Sequence, residues 1–254
     1  MADRWPARQH PLLTDVVRVG VRALRLYHPI RFEGAENLPD GPALLVGNHG
    51  LLGYEALFFF EEIFRRTGRR PVGLADRWFF EIPGLRDLLV RIGGAYGHRR
   101  NALRLLSVGN LVICYPGGAR ETFKASAAER YRLRWAQSLG FVRIALESGV
   151  PIVPFAAAGV DDTFDIEGRH EGFGRWWMGH DKYDVPRLRG VGRLPIPRPV
   201  PFLFRVGEPM RVGGAASESA VRAWHRAACE RAQALLDATV ADWRAGEAPP
   251  RGDL

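Results

Sequence analysis

Cysteine is almost missing from this 254-residue sequence. Only Cys114 and Cys229 occur, which excludes a disulfide framework and suits a reducing compartment. Neither belongs to a CxxC pattern and no HExxH is present, so nothing points to a metal site. Cys114 lies inside the strand-like run "NLVICYP" and reads as core packing rather than as a nucleophile. Lysine is equally scarce: Lys124 and Lys182 are the only two among 36 basic residues. Arginine therefore carries the net charge of +8, which suits an anionic partner such as a membrane surface, a nucleic acid or a phosphorylated substrate. No recognised nucleic-acid motif accompanies that charge, so no nucleic-acid partner is expected. No apolar run approaches the ~20 residues of a transmembrane helix. The opening "MADRWPARQHP" is polar and interrupted by proline, unlike a secretory signal. Also missing are GxSxG, GxxxxGK[ST] and a GxGxxG that follows a strand, which removes the serine-hydrolase elbow and a nucleotide cofactor.

What is present is a chain that is 46% hydrophobic, enough for a sizeable core. Apolar runs at 30–34, 43–47, 71–75, 111–115, 151–157 and 202–207 predict strands. Helices are predicted at about 55–67, 84–91, 100–107, 129–148 and 217–244. The alternation argues for an α/β fold, a sheet covered by helices. Residues 162–200 break the pattern with Gly, Pro, Arg and aromatics, and read as a long irregular insertion. In "LLTDVVRVGVRALRLY" (12–27), Leu13, Val16, Val17, Gly20, Val21, Leu24 and Tyr27 recur at helical spacing while Arg18, Arg22 and Arg25 cluster on another face. Such a basic amphipathic helix suits either a membrane interface or a cover packed on the core.

The stretch "GNHGLLGYE" sets His49 between a strand and a helix, with Glu55 six residues on. On a continuous helix the two would point about 120° apart and could not meet. A pairing requires a non-helical link, which Gly50 and Gly53 permit. The expected geometry is a strand ending at Gly47, a glycine loop carrying His49, and a helix opening near Tyr54 or Glu55. Glu55 would then accept from one imidazole nitrogen and leave the other free to take a proton from a hydroxyl or water. A histidine that caps a helix or bonds a core carbonyl gives the same local pattern. In "YPGGARE" (115–121) a turn follows a strand; the amides of Gly117 and Gly118 suit an oxyanion or phosphate, and Arg120 adds donors. A plain β-turn with a surface arginine reads equally well. In "GGAYGHRRNALRLL" (93–106), Arg99 and Arg100 precede a helix.

Together these stretches resemble the glycerolipid acyltransferase superfamily, which includes lysophosphatidate acyltransferases and the diacylglycerol acyltransferase branch. That family carries Asn-His, four residues and Asp; a Gly-rich segment ending in Arg; Phe-Pro-Glu-Gly-Thr-Arg; and a Val-Pro-Ile-Val-Pro strand. Here "NHGLLGYE", "GGAYGHRR", "YPGGAR" and "VPIVPF" follow in the same order, and 140–164 and 204–212 match the usual continuation, so the likeness spans roughly 30–212. Two departures stand out. Glu55 replaces the aspartate one residue later, with Tyr54 in the usual place, and Gly117 replaces the motif glutamate. The Pro-Gly-Gly form resembles the branch that acylates neutral acylglycerols.

The resemblance implies a mixed, mostly parallel sheet covered by helices, as in glycerol-phosphate acyltransferase-like folds, with an N-terminal amphipathic helix. It divides the chain into an N-terminal helix region (1–29), one acyltransferase domain (30–245) holding the 162–200 insertion, and a flexible tail (246–254). It implies O-acyl transfer from acyl-CoA or acyl-carrier protein to a glycerolipid hydroxyl, with His49 as general base and Glu55 as its orienter. Asn48, Arg99, Gly117, Gly118, Arg120 and Glu121 become substrate-binding positions. No cofactor beyond the thioester co-substrate and no metal is implied. The expected setting is cytoplasmic, peripheral on the anionic cytoplasmic face of a membrane, where Trp176 and Trp177 either add interfacial aromatics or cover the sheet. The departures also admit a non-catalytic lipid-binding member of the same fold.

Overall fold

The computed structural model describes residues 10–82, 84–124, 126–136, 138–214 and 217–246. The opening nine residues and the end of the expected tail (247–254) lie outside them. Eight α-helices are described: α1 (Pro11–Leu24), α2 (Glu55–Thr67), α3 (Leu85–Ile92), α4 (Arg99–Ser107), α5 (Ala119–Thr122), α6 (Gly140–Ser148), α7 (Phe173–Met178) and α8 (Glu218–Arg244). The strands are β1 (Ile30–Glu33), β2 (Ala43–Gly47), β3 (Val72–Ala75), β4 (Gly94–Tyr96), β5 (Leu111–Cys114), β6 (Ile152–Ala158), β7 (Asp165–Arg169), β8 (Pro186–Arg189) and β9 (Phe202–Val206).

Seven strands form the main sheet in the order β1-β9-β6-β2-β5-β3-β4. All neighbours run parallel except β6 and β9, so the sheet is mixed and mostly parallel, as expected. Every residue of β2 and β6 is buried, because helices cover both faces and no strand position can be polar. Alternate residues serve opposite cores. Leu45, Ile113 and Val153 join Phe58, Phe59 and Ile63 of α2 and Leu236 of α8 on one face. Leu44, Val46 and Val112 join Leu105 of α4, Phe141 of α6 and Ala228 of α8 on the other. The parallel register sets Val46 beside both Cys114 and Pro154, so the segments after β2, β5 and β6 leave from one edge of the sheet.

Three sequence expectations need correction. The predicted helix at 129–148 is helical only over Gly140–Ser148. Upstream, Tyr131 adopts a left-handed φ of 56°, and the N–H groups of Tyr131, Leu133 and Arg134 donate to Asp161, Gln233 and Glu121 side chains. Those donors are lost to a helical ladder. The insertion at 162–200 is not wholly irregular: β7 and β8 form an antiparallel pair with a bulge, and α7 follows β7. Its strands are polar and mostly half-buried, and Arg130 and Arg198 bind Asp165 where an apolar face would ordinarily signal a strand.

The third correction concerns α1. Its arginines do not form a free basic face. Arg18 and Arg22 reach the buried Glu61 at 2.7 and 2.8 Å, and Arg25 reaches the buried Glu62 at 2.7 Å. Two carboxylates on the inner face of α2 require countercharge, and α1 supplies it. Leu12, Val16, Val19 and Leu26 consequently point outward, each about two-thirds exposed or more.

Candidate active site

The chain leaves β2 at Gly47 and passes through Asn48 to His49. The Asn48 side chain pairs with β6: its amide donates to the Ala157 carbonyl at 3.0 Å and accepts from the Ala157 N–H at 2.8 Å. These bonds continue the sheet by one side chain and anchor the loop. Asn48 is thereby spent on structure rather than turned toward substrate. A short 3₁₀ turn, Leu51–Gly53, then links His49 to α2, whose first residue is Glu55.

That link brings the histidine and its carboxylate together. His49 Nδ1 lies 2.6 Å from Glu55 Oε1, and the Gly50 N–H donates to the same oxygen at 3.0 Å. An ionised carboxylate only accepts, so Nδ1 carries the proton and Nε2 is the free base position. Gly53 has φ +70°, and a Cβ there would lie 2.5 Å from His49 Cε1 and 2.9 Å from Nε2. The imidazole also stacks on Tyr115 with centroids 4.0 Å apart. Tyr54 turns away into a cluster with His28, Phe58 and Phe202, which removes it as a partner for His49.

Burial alone would raise the Glu55 carboxyl. The charge of His49 and hydrogen bonds from His49 and the Gly50 N–H outweigh burial and hold it below the usual carboxylate value. Burial pushes Glu121 and Asp161 upward, with Lys124 opposing it in both. Burial also pushes the Cys114 thiol up to about 12, which leaves it protonated at neutral pH.

The remaining expected positions divide into two groups. Glu121 belongs to the interior: it is fully buried, and its carboxylate accepts from the His49 N–H at 3.0 Å and the Arg134 N–H at 2.7 Å. The Gly118 N–H is consumed by the Tyr115 carbonyl at 3.0 Å and is not available to an oxyanion. The Gly117 N–H makes no backbone hydrogen bond among the described residues. Arg120 is exposed on α5. Arg99 opens α4, pairs with Glu147 and stands beyond the edge strand β4. Its strand lies three places from β2, roughly 14 Å at ~4.8 Å per strand.

Sequence reasoning missed Lys124, Asp161 and Tyr115. Lys124 carried a signal, as one of two lysines in an arginine-rich chain. Asp161 carried none, because its partner Lys124 is 37 residues away. Among the described residues no group of three His, Cys, Asp or Glu is placed to hold a metal ion.

The Acyltransferase family model matches residues 29–158. A human protein named "DGAT1/2-independent enzyme synthesizing storage lipids" is 31% identical over 172 residues, covering 67% of this chain and 52% of its own length. Phytyl ester synthase 2, chloroplastic, of Arabidopsis thaliana is 35% identical over 141 residues, 52% of this chain and 20% of its own length. This chain thus spans about half or less of those relatives. The crystal structure of the 1-acyl-sn-glycerophosphate (LPA) acyltransferase of Thermotoga maritima shares the fold, with TM-score 0.52, 21% identity, and coverage of 89% of this chain and 80% of that one. With a histidine and its carboxylate in contact at the open edge of that fold, and a family match over half the sequence, the chain belongs to the acyltransferase family.

Proposed function

We propose that this acyltransferase moves a fatty acyl group from a thioester, acyl-CoA or acyl-carrier protein, to the hydroxyl of a glycerolipid, with His49 as general base. The carrying observation is the 2.6 Å contact between His49 Nδ1 and Glu55 Oε1, which leaves Nε2 free. Nε2 takes the acceptor's hydroxyl proton as that oxygen attacks the thioester carbonyl. The tetrahedral intermediate collapses with loss of the thiolate, which the imidazolium protonates. Glu55 holds the productive tautomer and stabilises the imidazolium. Such a base contributes ~10²–10⁴ in rate.

A neutral acceptor fits best. Arg99 is engaged by Glu147 and distant from His49, and the names of two relatives speak of storage lipids and of phytyl esters. The same contact favours catalysis over a non-catalytic lipid binder, since Glu55 reaches His49 despite its shifted position.

We also place the protein peripherally on the cytoplasmic face of a membrane. No described helix is long and apolar enough to cross one. The outward Leu12, Val16 and Val19 of α1 and Leu26 just beyond it, together with Trp176 and Trp177 on α7, supply an interfacial surface instead.

The test is incubation of purified protein with labelled acyl-CoA or acyl-carrier protein and a panel of diacylglycerol, lysophosphatidate and a long-chain alcohol. The expected result is ester formation with a neutral acceptor and its loss in His49→Ala. Wild-type turnover in His49→Ala, or transfer to lysophosphatidate alone, refutes the base or the acceptor respectively.

A further inference from the structure

Behind His49 lies a buried ionic group that the proton transfer itself does not use. Lys124 is 2% exposed. Its ammonium donates to the His49 carbonyl at 2.8 Å, the Glu121 carbonyl at 2.7 Å and Asp161 Oδ1 at 2.9 Å, so all three protons are engaged. The Glu121 carboxylate takes the His49 N–H. Both polar groups of the His49 main chain are thus bonded by two residues of one short segment. The loop that they hold has little order of its own: one backbone hydrogen bond, Gly53 N–H to the Gly50 carbonyl at 3.2 Å, closes its turn.

Two further observations explain why these residue types stand here. A Cβ on Gly117 would lie 2.2 Å from Glu121 Cδ, so the Glu121 carboxylate occupies the space that a side chain at 117 would take. The missing side chain at 117 and the buried carboxylate at 121 are one arrangement. Lysine, in a chain that otherwise uses arginine almost throughout, supplies a compact cation that aims at three converging acceptors; a planar guanidinium fork does not.

We propose that Glu121 and Lys124 are positioning residues for acyl transfer: they fix the His49 main chain from both sides and so fix where Nε2 meets the acceptor hydroxyl. This rests on His49 being the base. A purely structural role predicts lost stability with unchanged chemistry in whatever protein remains folded. A positioning role predicts a loss of kcat at nearly constant KM in a folded variant.

The experiment compares Lys124→Arg and Glu121→Gln with wild type in steady-state kinetics, thermal unfolding and proton NMR. The His49 Nδ1 proton in its short bond to Glu55 gives a low-field resonance, assigned by its loss in His49→Ala. Expected are cooperative unfolding, KM within about threefold, kcat down by about 10²-fold, as ~1 Å of misplacement produces, and a broadened or shifted low-field proton. Gly117→Asp combined with Glu121→Ala returns a carboxylate to the same space, and should recover at least tenfold over Glu121→Ala alone. Where Lys124→Arg does not fold, Lys124→Met with Asp161→Asn, which removes both charges of that pair, takes its place with the same expectation. Unchanged kcat and an unchanged low-field proton in folded variants overturn the proposal, as does a loss confined to KM. The NMR arm needs no substrate. If wild type transfers to no acceptor, the functional reading fails, and the resonance alone still decides for or against the clamp.

Discussion

Replacing Gly53 by alanine separates the backbone's demands from those of the histidine. Gly53 has φ +70°, where an L-residue costs about 1–2 kcal/mol. For a chain of this size that lowers Tm by roughly 2–8 °C. The added methyl would also sit 2.5 Å from His49 Cε1, whereas non-bonded carbons rest at about 3.5–4.0 Å. The imidazole must therefore retreat by about 1 Å, far enough to lengthen the 2.6 Å bond to Glu55 or to misplace Nε2. A displacement of that size costs ~10²-fold in kcat. Gly68→Ala is the matched control: φ is +68° and nothing lies within 4 Å of its Cβ, so it carries the backbone cost alone. The assay pairs thiol release from acyl-CoA with thermal unfolding of both variants. The expected result is a similar fall in Tm with kcat lost only in Gly53→Ala. Equal kcat in the two variants refutes the reasoning, because the ring would then tolerate the methyl.

Glu55→Gln should lower kcat by 10²-fold or more while the protein stays folded, since an amide neither stabilises the imidazolium nor accepts as strongly; kcat within threefold of wild type removes Glu55 from the mechanism. The same pair sets a pH dependence. Because the folded Glu55 carboxyl is held below its unfolded value of ~4.3, its contribution to stability is present above that pH and is lost as pH falls through the lower folded value. The stability gap between wild type and Glu55→Gln should shrink as pH falls below about 4; a gap that grows below that pH contradicts the sign. With its thiol pushed up to about 12, Cys114 should resist iodoacetamide at pH 7.5, and Cys114→Ala should keep turnover; inactivation by alkylation at Cys114 would contradict that upward shift. Vesicle binding through α1 should be largely salt-resistant, because Arg18, Arg22 and Arg25 are held by Glu61 and Glu62 while leucine and valine face outward. Leu12→Ser/Val16→Ser/Val19→Ser should therefore sediment less with vesicles than wild type at both low and high salt, and equal sedimentation moves the contact elsewhere.

The parts of the fold that the sequence made legible are those whose signal is local. The runs at 43–47 and 111–115 are apolar almost throughout because both sheet faces are covered, and their short length between turn residues marks them as buried strands. The His49–Glu55 contact was legible for a similar reason: helical geometry forbids it, and two glycines lift the prohibition. What stayed hidden depends on partners far along the chain. The direction of the α1 arginines is decided by carboxylates about 40 residues away, which periodicity cannot register. The end of the helix read at 129–148 is decided by Glu121, Asp161 and Gln233 capturing backbone donors. The resemblance assigns Glu121 to substrate binding, yet burial turns its carboxylate toward the main chain of His49. The three-residue β4 carries too few positions to show any period.

The pairing of β1 with β9 has a temporal consequence. Ile30 is matched to Phe202, and among the described residues β9 is the only neighbour of β1 in the sheet. A ribosome adding ~5–20 residues per second leaves β1 waiting roughly ten to thirty seconds for its mate. Helix α1 can meet α2 far sooner, across about 40 residues. The nascent chain therefore carries an early helical hairpin tethered to an orphan strand, and the 2.5 Å ion pair between Arg31 and Glu33 puts charge along the edge that a stray strand would otherwise join. Closure of the sheet waits for β9, so truncation anywhere before Val206 should yield a chain in which β1 still presents an unpaired edge to chaperones and proteases.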